Sequence, residues 1–295
     1  FKFKKIILLR TGKNESIFGK NIYEVKKLSE VKKHKPQAVV ISNPTSLHIK
    51  YATYFCKQKI PLFIEKPISN NLKGIQRLKQ IQKQNKTRIQ VGYVLKFKKE
   101  FEILKKILKN RKILNVNIIC KSNLKNWRKN KNYKKFNSSQ KKLGGGVLLE
   151  LSHEIDYARQ LFGEISKVFC NLKYSKDLNI DVEDKAHIIL LTKSNILIDM
   201  YLSFSSNETK RVCKIQTSKS YIIWDLINNS ISIKNKLIYK KNENFHNNYI
   251  NQLNYFFKNI KKFKQDIHSL DNSIETLKVV LASKLSDKEK KIVNF

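Results

Sequence analysis

The strongest constraint on the fold is the alternation of short apolar runs with helical patterns along the first third of the chain. Four apolar runs predict buried strands, at Ile6 to Leu9, Ala38 to Ser42, Leu62 to Ile64 and Ile89 to Tyr93. Apolar residues at helical spacing fall between them, at about 24–34, 46–58 and 71–84. This β-α-β-α-β order favours a parallel sheet with helices packed against it. We therefore expect an α/β domain here.

The rest of the chain is built differently. Helical patterns are predicted at about 98–109, 147–161, 247–262 and 270–286, and strands at about 114–120, 165–173, 185–192, 196–204, 211–217 and 220–225. The connections between the last five strands are short and polar, which leaves no room for crossover helices. They predict an α+β domain with a large, mostly antiparallel sheet, one face covered by helices and the other open.

Composition narrows the class of partner. The net charge of +38 is that of a polyanion-binding protein, but only seven of the 61 basic residues are Arg, the side chain suited to bidentate phosphate contacts. The lysines are spread along the whole chain, which favours compositional drift over a specific nucleic-acid site. No run approaches the ~20 apolar residues that span a bilayer, so we expect no membrane partner and a cytoplasmic location. The four cysteines lack metal-ligand spacing and predict reduced core thiols and no metal site.

Two motifs carry residues suited to proton transfer. Lys66 follows the third strand in Glu65-Lys66-Pro67, and the proline favours an extended backbone that directs its side chain. A triple glycine, 144–146, precedes a helix on which His153 and Asp156 lie three residues apart. Oxidation of an alcohol needs a base beside the carbon that loses hydride. The alternatives are a surface lysine and a helix histidine satisfied by Asp156 or solvent.

Further segments occur in a fixed order with these motifs: Gln37 to His48, Phe63 to Ser69, Gly92 to Phe97, Trp127-Arg128 and Asp181 to Asp184. Together they resemble the glucose-fructose oxidoreductase, inositol dehydrogenase and rhizopine-catabolism family (Gfo/Idh/MocA) over essentially the whole chain. The resemblance implies a Rossmann-like domain over residues 1–94, a substrate-binding and oligomerisation domain over 95–295, and an active site between them. It places Lys66 and His153 at the reacting carbon, with Asp156 orienting the histidine.

The resemblance also implies binding residues. The cofactor, NAD or NADP, is expected at the carboxyl edge of the parallel sheet, against Arg10, Ser42, Asn43, Pro44, Thr45, His48, Glu65 and Lys66. Arg10-Thr11 replaces the usual ribose-binding acid, which leans weakly toward NADP. The substrate is expected against Tyr93, Trp127, Arg128 and His153. Thr45 also fits a simple helix N-cap, and the Trp127-Arg128 pair also fits a scattered surface pair.

Two departures from the family pattern stand out. Many members have an aspartate four residues before the histidine, where this chain has Leu149. Glu150 lies three before it, on a neighbouring helix position, and its role is left open. No G-x-G-x-x-G occurs, and the chain begins with Phe1, so we expect a Rossmann-like domain truncated by about one βα unit. The strand at 6–9 should then pair abnormally with that at 38–42 or be separated from it, and dinucleotide affinity should be weak.

The function implied is NAD(P)-dependent hydride transfer at a hydroxyl or carbonyl of a sugar, nucleotide sugar or polyol, with an association to surface-glycan synthesis. A homo-oligomer formed through the open sheet is expected. One alternative is an inert scaffold or binding relative, which the missing Gly-rich turn and the displaced acid favour. A second is a basic nucleic-acid-binding protein, which would gather its lysines on one face.

Overall fold

The computed structural model describes residues 3–10, 19–128, 130–242, 244–263 and 265–295. Its first region holds five parallel strands: β1 (Ile6–Leu9), β2 (Ile22–Val25), β3 (Val39–Ile41), β4 (Leu62–Ile64) and β5 (Ile89–Val91). Helices α1 (Leu28–Lys33), α2 (His48–Cys56) and α3 (Ile75–Asn85) connect them. The ladders β1-β2, β3-β4 and β4-β5 are all parallel, which confirms the α/β prediction.

Sequence reasoning misplaced one element here. The helical pattern at 24–34 is wrong over its first residues, because Ile22–Val25 is a strand and the helix begins only at Leu28. Ile6 lies opposite Ile22, and Leu9 lies opposite Val25, in the parallel ladder that β2 forms with β1. Pairing with a neighbouring strand therefore overrides the local helical spacing.

The five parallel strands form two separate sheets, β1-β2 and β3-β4-β5. Within the described residues no ladder joins β1 to β3, so of the two expected arrangements the separated one is found. Val40 on β3 is 50% exposed. The edge of β3 that faces away from β4 is consequently free of a strand partner in the described part of the chain.

The second region is built on one nine-stranded sheet. Its strands are β6 (Ile113–Asn123), β7 (Ile165–Lys173), β8 (Lys185–Thr192), β9 (Leu197–Ser203), β10 (Ser205–Thr217), β11 (Tyr221–Asp225), β12 (Ser230–Ile233), β13 (Lys236–Lys240) and β14 (Val293–Asn294). Their spatial order is β13-β12-β11-β10-β6-β9-β8-β7-β14, and only the β6-β9 pair is parallel. The largely antiparallel sheet is confirmed. The short strands β12, β13 and β14 were not predicted.

Helices cover one face of this sheet. The remaining helices are α4 (Lys99–Leu108), α5 (Val147–Glu150), α6 (Ser152–Phe162), α7 (His246–Lys258) and α8 (Leu270–Glu289), of which α8 packs on β7. Val168 and Cys170 are buried beneath it, whereas Phe169 between them is 38% exposed. Ile189, opposite Phe169 on β8, is 41% exposed. The other face is therefore open, as predicted. Among the helices of the described residues, none has the length and hydropathy needed to cross a bilayer.

The helix predicted at 147–161 is broken in two at Leu151, whose φ and ψ are −93° and 22°. The break ends α5 at Glu150 and starts α6 at Ser152. Carbonyl groups at the end of a helix have no partner within it. The Glu150 carbonyl is consequently free to accept a hydrogen bond from another part of the molecule.

Two of the glycines before α5 lie so close to neighbouring groups that a side chain would not fit. A Cβ at Gly145 would lie 2.5 Å from the Asn137 carbonyl oxygen and 2.6 Å from that of Ser138. At Gly146, where φ is +115°, a Cβ would lie 2.3 Å from a carboxylate oxygen of Glu183. Of the two interpretations of the glycine run, close approach and a flexible helix entry, the structure favours close approach.

We predict that Gly145→Ala lowers the free energy of unfolding by about 1–3 kcal/mol, because two backbone carbonyls must move to admit the methyl group. Gly19→Ala is the matched control, since its Cβ would meet only a side-chain carbon of Ile22 at 3.5 Å. Urea unfolding of both variants measures the difference. Equal stability of the two would show that the loop at 137–138 yields without strain.

Candidate active site

Lys66 links the two regions of the molecule. It follows β4, and its Nζ donates hydrogen bonds to the Glu150 backbone oxygen at 2.7 Å and to Glu150 Oε1 at 2.9 Å. The carbonyl acceptor is the one left free by the break at Leu151. The lysine side chain is 13% exposed. Its ammonium group is therefore held at the cleft between the parallel sheet and α5.

Glu150 is the partner that sequence reasoning left without a role. Burial would raise the pKa of this carboxyl, but the charge and hydrogen bond of Lys66, the Ser138 hydroxyl and the charge of Arg128 outweigh it, so the pKa is lowered from its ordinary value. Glu150 is accordingly ionised at neutral pH. The signal in the sequence was its helix position next to the one where the family has its acid.

His153 lies in the first turn of α6, with its ring edge-on to that of Tyr93 at a centroid distance of 5.6 Å. Its Nδ1 is buried and makes no hydrogen bond to any residue that the structure describes. Burial lowers the pKa of His153 well below its ordinary value, and the positive charges of Lys66, Arg211 and Lys96 lower it further. The imidazole is therefore neutral at physiological pH and able to accept a proton.

Asp156 does not orient His153, and that prediction is corrected. Its carboxylate accepts hydrogen bonds from Lys96 Nζ at 3.2 Å and from Thr276 Oγ1 at 3.2 Å, and both side chains of the Lys96–Asp156 ion pair are buried. A buried carboxylate needs a counter-ion, and Lys96 in the turn after β5 supplies it. Asp156 instead anchors α6 to the end of the parallel sheet and to α8.

Tyr93 is also corrected, from a substrate contact to a support for His153. The side chain is fully buried, and its hydroxyl donates to Ser152 Oγ at 3.4 Å. The residue lies two positions after the end of β5, and its ring contacts that of His153 at the start of α6. The aromatic ring thereby fixes one side of the histidine.

The segment after β3 lies at the carboxyl edge of the parallel sheet. It contains Ser42, Asn43, Pro44 and Thr45, and a 3-10 turn runs from Thr45 to Leu47. Asn43 Oδ1 is buried and has no hydrogen-bond partner among the residues described. Such an atom would accept a hydrogen bond from a bound hydroxyl or amide group. The predicted cofactor contacts at this edge stay a prediction that this atom supports.

His48 holds two loops together. Its Nδ1 lies 2.9 Å from the Pro67 carbonyl oxygen, and its Nε2 lies 2.9 Å from that of Asn43. Burial lowers the pKa of His48, although the two carbonyl groups favour its protonated form. With both ring nitrogens engaged, the side chain has no polar atom left for a cofactor. The predicted contact is therefore replaced by a role in tying the Asn43 loop to the Lys66-Pro67 loop.

Glu65 follows β4, and Arg10 follows β1 in the separate two-stranded sheet. Burial raises the pKa of Glu65, and the charge of Lys66 offsets this in part. Arg10 Nη1 lies 3.9 Å from Glu24 Oε2, so an acid neutralises part of the charge expected to favour NADP. Thr11, named with Arg10 in that expectation, lies outside the described residues.

Trp127 and Arg128 are both held by contacts with neighbouring side chains. Trp127 Nε1 donates to Ser122 Oγ at 2.9 Å, and its ring packs edge-on against Phe204 at 5.1 Å. The Arg128 guanidinium lies 4.7 Å from the centroid of the Phe136 ring. Its charge also lowers the pKa of Glu150. The pair is therefore held by specific contacts, and its predicted contact with substrate stays a prediction.

Two residues at the cleft were missed by sequence reasoning. Arg211 on β10 donates from Nε to Glu154 Oε1 at 2.7 Å, and its charge acts on His153. Burial raises the pKa of Tyr249 on α7, and the negative charge of Glu65 adds to this. Neither residue stands in a recognisable motif, so only the packing of β10 and α7 against the cleft reveals them.

The residues present fit a nicotinamide nucleotide. The unpartnered Asn43 Oδ1 lies beside the parallel sheet, and the unpartnered His153 Nδ1 lies across the cleft in the described structure. Lys66 and Glu65 lie between them at the end of β4. In open α/β sheets, ligands bind beyond the carboxyl ends of the strands, which is the edge these residues share.

Comparison with known proteins agrees with this arrangement. Residues 13–93 match the family model described as the oxidoreductase family, NAD-binding Rossmann fold, and residues 101–223 match the GFO/IDH/MocA C-terminal domain. The chain therefore belongs to the Gfo/Idh/MocA family of oxidoreductases.

Individual relatives span most of the chain. A myo-inositol 2-dehydrogenase of Thermotoga maritima is 25% identical over 274 residues, which are 88% of this chain and 79% of the relative. A levoglucosan dehydrogenase solved with NADH and levoglucosan superposes with a TM-score of 0.81 at 16% identity, covering 92% of this chain and 84% of that one. An aldose-aldose oxidoreductase from Caulobacter crescentus, solved with glycerol, gives a TM-score of 0.76 at 18% identity over 95% and 85% of the two chains.

The lowered pKa of His153 predicts a pH-dependent stability. Below the ordinary histidine pKa of about 6.5, the unfolded chain binds a proton that the folded chain does not, so stability falls as the pH falls. The contribution of one histidine is at most about 1.4 kcal/mol per pH unit. His153→Asn should make this decline shallower.

Urea unfolding on either side of about pH 6.5 measures the slope. His246→Asn is the control, because His246 is exposed at the start of α7. Burial lowers the pKa of His48 as well, so a residual slope is expected in His153→Asn. Identical slopes in wild type and His153→Asn would contradict a histidine that folding keeps neutral.

Proposed function

We propose that this protein transfers hydride between a nicotinamide dinucleotide and a hydroxyl or carbonyl carbon of a sugar, a nucleotide sugar or a polyol. The observation that carries the proposal is the Lys66–Glu150 pair beside a neutral His153 at the carboxyl end of β4. Relatives named for myo-inositol and levoglucosan support the substrate class. The inert-scaffold alternative gives no reason for a lysine to be held by a carboxylate next to a neutral imidazole at this position.

In the proposed mechanism, the neutral imidazole of His153 accepts the proton of the substrate hydroxyl. The Lys66 ammonium donates a hydrogen bond to the same oxygen and stabilises the negative charge that develops there. Glu150 holds Lys66 at the cleft through its carboxylate and its backbone carbonyl. The nicotinamide, when bound, supplies the hydride acceptor or donor. For reduction of a carbonyl, the protonated His153 returns the proton.

The same proposal assigns the cofactor to the edge formed by Ser42 to Thr45 together with Glu65 and Lys66. The Rossmann family description and the NADH complex of a structural neighbour support NAD. Arg10 is the residue that would favour the 2′-phosphate of NADP, and its proximity to Glu24 weakens that preference. Paired titrations with NADH and NADPH, in wild type and Arg10→Gln, decide between them.

We propose that the enzyme works in the cytoplasm and takes part in surface-glycan sugar synthesis. The cytoplasm suits a nicotinamide-linked reaction and four buried free thiols, Cys56, Cys120, Cys170 and Cys213. A role in surface-glycan sugar synthesis rests on the likeness of residues 143–157 to one bacterial branch of the family. Assays with nucleotide sugars and with free sugars distinguish this role from polyol metabolism.

Lys66→Met should lower kcat by about 10²–10³-fold, since it removes the donor at the reacting oxygen. Glu150→Gln should lower kcat less, because the backbone carbonyl still holds the lysine. NAD reduction with myo-inositol, levoglucosan and D-glucose measures both, and Lys50→Met on the exposed side of α2 is the control. Turnover unchanged in Lys66→Met would refute the mechanism. Binding of NADH without turnover of any of a wide range of sugars would favour the inert alternative.

The open face of the nine-stranded sheet is proposed as the contact between copies of the chain. Phe169 and Ile189 lie directly opposite each other on it and are partly exposed. Replacing both with Lys puts charge at these two apolar side chains and should shift the protein toward the monomer. Analytical ultracentrifugation measures the shift, and Leu72→Lys, at an exposed leucine before α3, is the control. A monomeric wild type would exclude the proposal.

A further inference from the structure

Arg128 is held in place by its neighbours but forms no ion pair with any residue that the structure describes. Trp127, its neighbour in the chain, is fixed by the hydrogen bond to Ser122 and by the ring of Phe204. The Arg128 guanidinium rests 4.7 Å from the centroid of Phe136, a ring that is only 6% exposed. Arginine stacked on an aromatic face keeps its hydrogen-bonding edge free.

Three cationic groups of the described site residues are paired with carboxylates. The ion pairs are Lys66 with Glu150 at 2.9 Å, Arg211 with Glu154 at 2.7 Å and Lys96 with Asp156 at 3.1 Å. Arg128 differs, since no carboxylate among the described residues lies within ion-pair distance of it, and its side chain is exposed. An exposed arginine of this kind is a free binding group.

Arg128 rests on the segment that packs against the start of α5. Two residues after Phe136, the Ser138 backbone oxygen accepts a hydrogen bond from Gly146 N at 3.0 Å, and α5, which follows Gly146, ends at Glu150. The charge of Arg128 also lowers the pKa of Glu150, whose carboxylate holds Lys66. A ligand whose hydroxyl group contacts Lys66 therefore has Arg128 within its neighbourhood. Glu150 alone would repel an anionic ligand, and the positive charge of Arg128 offsets that repulsion.

We propose that Arg128 binds an anionic group of the ligand, so that the sugar-like substrate carries a carboxylate or a phosphate and is not a neutral polyol. Planar guanidinium groups bind both anions through two parallel hydrogen bonds, which gives orientation as well as attraction. The inference rests on the proposed function, because it takes the reacting hydroxyl group to lie at Lys66 and His153. It adds the chemical class of the group at the opposite end of the ligand.

A purely structural role for Arg128 makes a different prediction. If the guanidinium served only to hold the turn against Phe136, its removal would lower stability and would affect every substrate alike. Arg128→Gln and Arg128→Lys separate the two roles, since lysine keeps the charge but loses the planar fork. Arg77→Gln is the matched control, because Arg77 is an exposed arginine on α3, which packs on α2.

The experiment compares D-glucose with D-glucuronate, D-glucose 6-phosphate and UDP-glucose as ligands of the enzyme saturated with nicotinamide cofactor. In wild type, at least one anionic ligand should bind about tenfold or more tightly than D-glucose, and should show the corresponding gain in kcat/KM. Arg128→Gln should weaken the binding of that ligand by about ten- to hundredfold, and the change should appear chiefly as a higher KM. The affinity for D-glucose should change by no more than about twofold. Arg128→Lys should recover part of the loss, and higher ionic strength should reduce the preference.

Comparison of D-glucuronate with the two phosphate-containing ligands identifies whether the anion is a carboxylate or a phosphate. Equal binding of D-glucose and all the anionic ligands in wild type would overturn the inference, and so would an equal loss for every ligand in Arg128→Gln. Calorimetry on the NADH complex separates this outcome from failure of the proposed reaction. Anion-selective binding that depends on Arg128, with no hydride transfer to or from any ligand, would uphold the inference while refuting the proposed function.

Discussion

The ion pair between Lys66 and Glu150 is the interaction on which the site depends. It joins the loop after β4 to the last residue of α5, and so joins the parallel-sheet region to the start of the second region. The helix break at Leu151 frees the Glu150 carbonyl, so that the ammonium group is shared between this carbonyl and the carboxylate. These two contacts direct the Lys66 side chain into the cleft.

A second, fully buried pair sets the position of the histidine. Lys96 and Asp156 hold α6 against the turn that follows β5, and Thr276 adds a hydrogen bond from α8. The ring of His153 thereby packs edge-on against that of Tyr93, within the influence of the positive charges of Lys66, Arg211 and Lys96. The neutral imidazole is a consequence of this packing. Buried pairs of this kind cost desolvation, and their retention at a joint between elements is consistent with a positioning role.

The sequence was sufficient for much of the fold and for part of the site. Apolar runs located β4 and β5 because both strands are buried on both faces, and the motifs located Lys66 and His153 because each lies at the end of an element. The role of Asp156 could not be read from its spacing to His153, since its partner Lys96 comes from a distant segment. The contact of Lys66 with the Glu150 carbonyl depends on the helix break at Leu151. No proline or glycine in the sequence indicates a break at that position. Likewise β2 was hidden, because its strand character comes from pairing with β1.

The central claim is that Lys66 and His153 share one cleft and one electrostatic environment. NMR of the histidine ring nitrogens across a pH titration, with the His153 signals assigned by their loss in His153→Asn, tests it most directly. The account predicts that His153 stays neutral through the ordinary histidine range near pH 6.5, and that its pKa rises toward that range in Lys66→Met. A His153 that titrates with an ordinary pKa and does not respond to loss of the Lys66 charge would contradict it.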